Sequence, residues 1–280
     1  MGRITTRRPV TRIRGDGHTV RRPDTLAVEE PLEIRVGGRS LVVTMRTPGH
    51  DVELAAGFLV SEGVLTGADD LLTARYCAGA DADGANSYNV LDLALAPHVA
   101  PPAPELARSF TTTSACGVCG KDSIDAIGTR SSFGVADDPL TVTATMLLRL
   151  PDRLRDHQNV FDKTGGLHAA ALFDGATGEP VVVREDVGRH NAVDKVVGWA
   201  LTQGLLPLRG HILQVSGRAS FELVQKAVMA GIPMLSAVSA PSSLAADLAD
   251  ESGLTLLGFV RGDSLVAYTR EDRIDGAAPV

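Results

Sequence analysis

Residues 114–123, SACGVCGKDS, place Cys116 and Cys119 three apart among small residues, with Lys121 behind them. Thiols at this spacing can complete a metal site, run a disulfide cycle or carry sulfur. A closed zinc site takes four ligands. The chain offers one CxxC, a distant Cys77, and histidines such as His50, His168 and His190, with no second CxxC and no HxxxH. A zinc deaminase carries H-x-E ahead of P-C-x-x-C. Here His168 follows the cysteines, Ala169 and Ala170 follow it, and Ala115 precedes Cys116.

A thioredoxin-like oxidoreductase suits a CxxC at a helix start, which KDSIDAI would supply, although the aromatic and proline neighbours of that motif are missing. Sulfur transfer needs a stabilised thiolate on an exposed, mobile loop. Gly117 and Gly120 would give the mobility, and Lys121 with a following helix N-terminus would stabilise the charge. A second thiol can release the carried sulfur by closing a disulfide. Spacing alone leaves an oxidoreductase, a sulfur carrier, half a metal site and an inert pair open. Cys77, in ARYCAGAD, reads as a packed bystander.

The elements that must position these thiols follow from the pattern on either side. Leu32, Ile34 and Val36 alternate with charged residues, Gly37-Gly38 supplies a turn, and Leu41 to Met45 return, which predicts a hairpin. TPGHDVELAAGFLVSEGVL predicts a loop and a short helix with Asp51 as N-cap and a stop near Gly63. A strand is expected over Tyr88 to Leu95, and the proline-rich residues 97–110 read as a connection between two domains. Beyond the cysteines, strands are expected at His168–Phe173, Val181–Arg184, His211–Val215, Met234–Val238, Leu254–Val260 and Leu265–Thr269. Helices are expected between them at Asn191–Thr202, Phe221–Ala230 and Ser243–Asp250. That alternation predicts an α/β fold with a largely parallel sheet.

Ligands of open α/β sheets sit beyond the carboxyl ends of the strands. The loops there are REDVGRHN (184–191), SGRAS (216–220) and SAPSS (239–243), rich in Gly, Ser and Arg. Each alone reads as an ordinary cap or turn. Three together, with Arg189 and Arg218, favour an anionic ligand of phosphate type.

Bulk composition narrows the classes. With 280 residues, 44% hydrophobic and 22% charged, the chain matches a globular protein of about two domains rather than a disordered one. No apolar run suits a membrane helix, and the basic amino end lacks the apolar region of a secretory signal. Three cysteines in so long a chain point to reduced thiols and the cytoplasm. A net charge of −7 argues against a general nucleic-acid surface. Arginines 3, 7, 8, 12, 14, 21 and 22 crowd the amino end, which is expected as a basic flexible tail over residues 1–24.

TTSACGVCGKDSIDAI, REDVGRHNAVDKVVG, SGRASFELVQKAVMAGIPMLSAVSAPSSLA and TPGHDVELAAGFLVSEGV, in order over most of residues 25–270, resemble the FdhD family of sulfur carrier proteins required for formate dehydrogenase activity. The resemblance implies a sulfurtransferase that accepts sulfur from a cysteine desulfurase and delivers it to the molybdenum bis-guanine dinucleotide cofactor before that cofactor enters formate dehydrogenase. It matches Cys116 to the persulfide-bearing cysteine and Cys119 to its CxxC partner. The family's cofactor-binding segment falls on Phe259, Val260, Arg261, Gly262, Asp263 and Ser264. The resemblance further implies a smaller N-terminal α+β domain over 25–107 and a larger domain over 108–280. The latter is similar to the cytidine deaminase fold, with a mixed sheet, helices on both faces and no zinc. Homodimers are implied as well. A cofactor-binding chaperone without sulfur transfer and a thiol oxidoreductase are the alternative functions.

Overall fold

The computed structural model describes residues 4–77, 88–102 and 131–276. The chain opens on an antiparallel ribbon, β1 (Thr5–Ile13) against β2 (Thr19–Ala27). This corrects the expectation of a flexible tail. Threonines and a few Val and Ile alternate with the arginines, a strand-compatible pattern that the charge density masked. Next come β3 (Glu30–Val36) and β4 (Arg39–Arg46), the expected hairpin. Gly37 and Gly38 sit at φ +57° and +80°, as a two-residue turn between right-twisted strands requires. With β5 (Leu71–Tyr76) and β6 (Val90–Leu95) they form a sheet ordered β4-β3-β6-β5.

Helix α1 (Asp51–Ser61) lies between β4 and β5 in sequence. Asp51, expected as the N-cap, is its first residue, and His50 takes the cap position in the left-handed conformation at φ 58°. The Asp51 carboxylate is committed elsewhere: it accepts from the buried Arg46 guanidinium at 3.0 Å and from the Tyr76 hydroxyl at 2.9 Å. Gly63, at φ +73°, follows the helix where a stop was expected.

The second half runs β7 (Val142–Thr143), α2 (Ala144–Asp156), α3 (Asn159–Thr164), β8 (His168–Asp174), β9 (Pro180–Asp186), α4 (Arg189–Thr202), β10 (His211–Val215), α5 (Phe221–Met229), β11 (Met234–Ala237), α6 (Ser243–Ser252), β12 (Thr255–Arg261), β13 (Ser264–Thr269) and β14 (Ile274–Asp275). Six strands form a sheet ordered β13-β12-β11-β10-β8-β9. Only β10, β11 and β12 run parallel; β8, β9 and β13 each pair antiparallel with their neighbours. The sheet is therefore mixed, not largely parallel, because β8–β9 and β12–β13 are hairpins without a crossover helix.

Strand alternation divides the core between two faces. Ala169, Ala171, Phe173, Ile212, Met234 and Leu257 meet Leu147, Leu150 and Leu154 of α2 on one side. Ala170, Leu172, Leu213, Val215, Leu235 and Leu256 join α4, α5 and α6 on the other. Leu32, Ile34, Leu54, Leu59, Leu91 and Leu93 from the first half belong to that second cluster, so both halves of the chain share one core. Their junction is the crossing of α1 over α4. A Cβ on Gly57 would stand 1.8 Å from the Asp194 carbonyl oxygen, and one on Gly198 1.8 Å from that of Glu53. Only glycine at both positions lets these backbones touch.

Candidate ligand-binding edge and its comparisons

The parallel strands β10, β11 and β12 end at one edge of the large sheet, and β9, reversed twice through β8, ends there as well. The loops that follow β9, β10 and β11 lead into α4, α5 and α6. Three helix N-termini therefore face the edge where a ligand was expected.

The loops are tied to one another. The Ser239 amide donates to the Gly217 carbonyl at 3.4 Å and the Ser242 amide to that of Ala219 at 3.1 Å. Ala219 also bridges to Pro241. Ser242 caps α6 by accepting from the Ala245 amide at 3.2 Å. The Ser220 hydroxyl makes no such cap; it meets His190 Nε2 at 3.1 Å, and the Glu222 carboxylate meets the same nitrogen at 2.6 Å. Ser216 is held against the start of β8, its hydroxyl accepting from the Ala169 amide at 2.9 Å. At Gly217 a Cβ would lie 3.4 Å from His168 Nδ1 and 4.0 Å from Arg189 Cδ, so SGRAS is brought against both basic side chains.

Below the loops lies a buried ionic layer. Asp186 and Lys195, with side chains 0% and 1% exposed, pair at 2.7 Å. The Asp186 carboxylate also accepts from the amides of Thr47 at 3.1 Å and Gly188 at 2.8 Å, and from Asn191 Nδ2 at 3.1 Å. Lys195 also donates to the Thr47 carbonyl at 2.9 Å. The TPGHD turn of the first half is thereby locked to the REDVGRHN loop of the second. In the same helix Asp194 accepts from Lys226 at 2.6 Å and from the Ser61 hydroxyl at 3.0 Å. Sequence reading took the helix for an apolar face and missed both pairs. Adjacent charges in AVDKVV, inside an otherwise apolar stripe, were the available signal.

Buried polar atoms of both signs are left uncompensated at the edge. Arg189 Nε and Glu222 Oε1 are buried without a hydrogen-bond partner among the described residues. Arg218 is exposed. Burial lowers the His168 pKa, and Arg189 and His190 add to that against the opposing pull of Asp186, so a neutral imidazole faces the loops. An edge of amides, hydroxyls and guanidinium donors suits phosphate oxygens.

Of the sequence-derived ligand segment, Phe259, Val260 and Arg261 close β12, Gly262 and Asp263 form the turn, and Ser264, paired with Arg261, opens β13. Phe259, at φ +52° in a bulge, donates its amide to the Ser239 carbonyl at 3.3 Å. Gly258 packs where a Cβ would meet Pro241 at 2.9 Å. The segment thus roots beside the SAPSS loop. Val260 points into the core, the guanidinium of Arg261 lies 5.6 Å from the Phe259 ring, and Arg261, Gly262, Asp263 and Ser264 are exposed. Cys116 and Cys119 lie outside the described residues. Cys77 is a half-buried free thiol. Among the described residues no three His, Cys, Asp or Glu side chains gather as metal ligands, and no helix is long and apolar enough to cross a membrane.

Fold and edge together define a mixed α/β protein in which Gly-, Ser- and Arg-rich loops and three helix N-termini gather at one end of the large sheet. Comparison makes this specific: the chain belongs to the FdhD/NarQ family, whose profile matches residues 27–275. A protein of Mycolicibacterium paratuberculosis named sulfur carrier protein FdhD is 61% identical over 271 residues, covering 97% of this chain and 99% of its own. One of the same name from Streptomyces coelicolor is 62% identical over 275 residues, covering 98% and 97%. The crystal structure of a putative formate dehydrogenase accessory protein from Desulfotalea psychrophila shares the fold, with a TM-score of 0.74 at 21% identity over 97% of this chain and all of that one.

Proposed function

We propose that this chain is a cytoplasmic sulfur carrier. It takes sulfane sulfur from a cysteine desulfurase onto Cys116 and passes it to the molybdenum bis-guanine dinucleotide cofactor before that cofactor enters formate dehydrogenase. Family membership and the name shared by its relatives support the sulfur half of this reading. The observation that carries the cofactor half is the convergence of the Gly-, Ser- and Arg-rich loops and three helix N-termini on one edge.

In the first step the Cys116 thiolate attacks the terminal sulfur of the donor's persulfide. The new S–S bond leaves a persulfide on Cys116 and returns the donor cysteine as a thiolate. In the second, the Cys119 thiolate attacks Sγ of Cys116, the outer sulfur leaves as hydrosulfide toward the cofactor, and a Cys116–Cys119 disulfide remains. The thiols supply the two electrons that convert sulfane sulfur to sulfide.

On this reading the cofactor is cargo. Its pyrophosphates would take the amides and hydroxyls of residues 216–220 and 239–243 together with Arg189. The turn at Arg261–Ser264 would close over one end. The larger half of the chain would be a cytidine-deaminase-like scaffold without zinc chemistry. Formate dehydrogenase matured in cells whose only copy of this protein carries Cys116→Ala is expected to contain molybdenum and guanine dinucleotide but to be inactive. Full activity in that strain would overturn the assignment.

A further inference from the structure

Helix α4 begins against the electrostatic preference of helix starts. Its first two residues are Arg189 and His190, and its first turn holds no acidic residue, although the positive end of a helix favours anions. The next loop offsets this. Glu222, in the first turn of α5, turns from its own helix and places Oε2 2.6 Å from His190 Nε2. Ser220, the N-cap residue of α5, likewise leaves its helix without a side-chain cap and meets the same nitrogen at 3.1 Å. One imidazole thereby clasps two helix starts.

The clasp leaves two atoms over. Arg189 Nε, a donor, and Glu222 Oε1, an acceptor, are buried without partners among the described residues. The carboxylates that precede α4 are not in this position. Both oxygens of Glu185 accept, from the Val160 and Phe161 amides. Both of Asp186 accept as well, from Lys195, Thr47, Gly188 and Asn191. The helix start explains why residue 222 is acidic. It does not explain an oxygen without a donor, which folded proteins rarely leave bare.

A phosphate answers only half of this pair. Its oxygens accept, so one of them suits Arg189 Nε, whereas beside Glu222 Oε1 they would repel. The other half needs an N–H on the same ligand. Guanine sets N1–H and its exocyclic amino group side by side, two donors on one edge that a carboxylate can face. Adenine sets its amino group beside an acceptor. The Glu222 side chain is 17% exposed, so a ligand held by the loops reaches it.

We propose that Glu222 selects the base at this edge, its Oε1 accepting from the exocyclic amino group of guanine while His190 holds Oε2. This role rests on the cofactor half of the proposed function and adds to it the group that discriminates between bases. His190 is a positioning residue, since it fixes the carboxylate that makes the contact.

Isothermal titration of the full chain with three diphosphates tests this. The unaltered protein should bind guanosine diphosphate about tenfold more tightly than inosine diphosphate, which keeps N1–H and lacks only the amino group. Adenosine diphosphate should bind more weakly still. Glu222→Ala should lower guanosine diphosphate affinity to that of inosine diphosphate, and leave the latter within about twofold of its parent value. A purely structural Glu222 would weaken both alike. Equal affinity of the unaltered protein for the guanosine and inosine forms, or a preference that survives Glu222→Ala, would overturn the role of Glu222 and leave the nucleotide site standing. A protein that binds none of the three would overturn the cofactor reading itself, and the guanine contact with it.

Discussion

Arg189 brings to the ligand edge a buried guanidinium N–H that no described residue accepts, beside Gly217 and a neutral His168. A phosphate oxygen would satisfy it. Arg189→Gln is therefore expected to weaken guanosine diphosphate binding about tenfold, as loss of one charged hydrogen bond implies. Isothermal titration against the parent checks this, and equal affinity would remove Arg189 from the site. His168 supplies a pH prediction. Its folded pKa lies below the ordinary 6.5, so as pH falls through the interval between the two, the unfolded chain takes up the proton first and stability drops. Urea midpoints measured from neutral to acid pH should fall across that interval for the parent. For His168→Gln they should fall less steeply. Arg189 was legible in the sequence as a loop arginine. Its buried Nε was not, since burial is a property of the packed loops.

At the scale of elements, the α1–α4 crossing is the tightest constraint in the molecule. Gly57→Ala would drive a methyl into the Asp194 carbonyl, and backbone cannot yield as a flexible side chain can. The expected cost is about 3 kcal/mol or more, above ordinary overpacking, readable as a fall in the denaturation midpoint. A midpoint within experimental error of the parent would show that the helices can separate freely.

Strands β8 to β13 and helices α4 to α6 were legible because their apolar runs are short, regularly spaced and punctuated by Gly and Pro. Helix α2 was not marked. Pro151 interrupts its pattern, although Leu147, Leu150 and Leu154 keep one apolar face and Thr143 caps its start by accepting from Met146. The ribbon escaped because its faces carry arginine where a buried strand carries valine. Strand direction was misjudged because helix–strand alternation does not reveal which neighbours are joined as hairpins.

For the whole molecule, the loops legible as Gly/Ser/Arg segments do converge. What the sequence could not show is the layer beneath them, where Thr47, Asp186, Asn191 and Lys195 lock the two halves of the chain at that edge. Sequence separation hides such a contact: Thr47 and Asp186 meet only after the sheets have packed. This locking holds the loops at that edge as one unit. The measurement that tests the central claim most directly is intact-protein mass spectrometry after incubation with a cysteine desulfurase and cysteine. The parent should gain the mass of one sulfur atom, removed by reductant and absent from Cys116→Ala. A parent that gains no sulfur while the desulfurase is active, or a Cys116→Ala variant that gains it equally, would contradict the carrier role of Cys116.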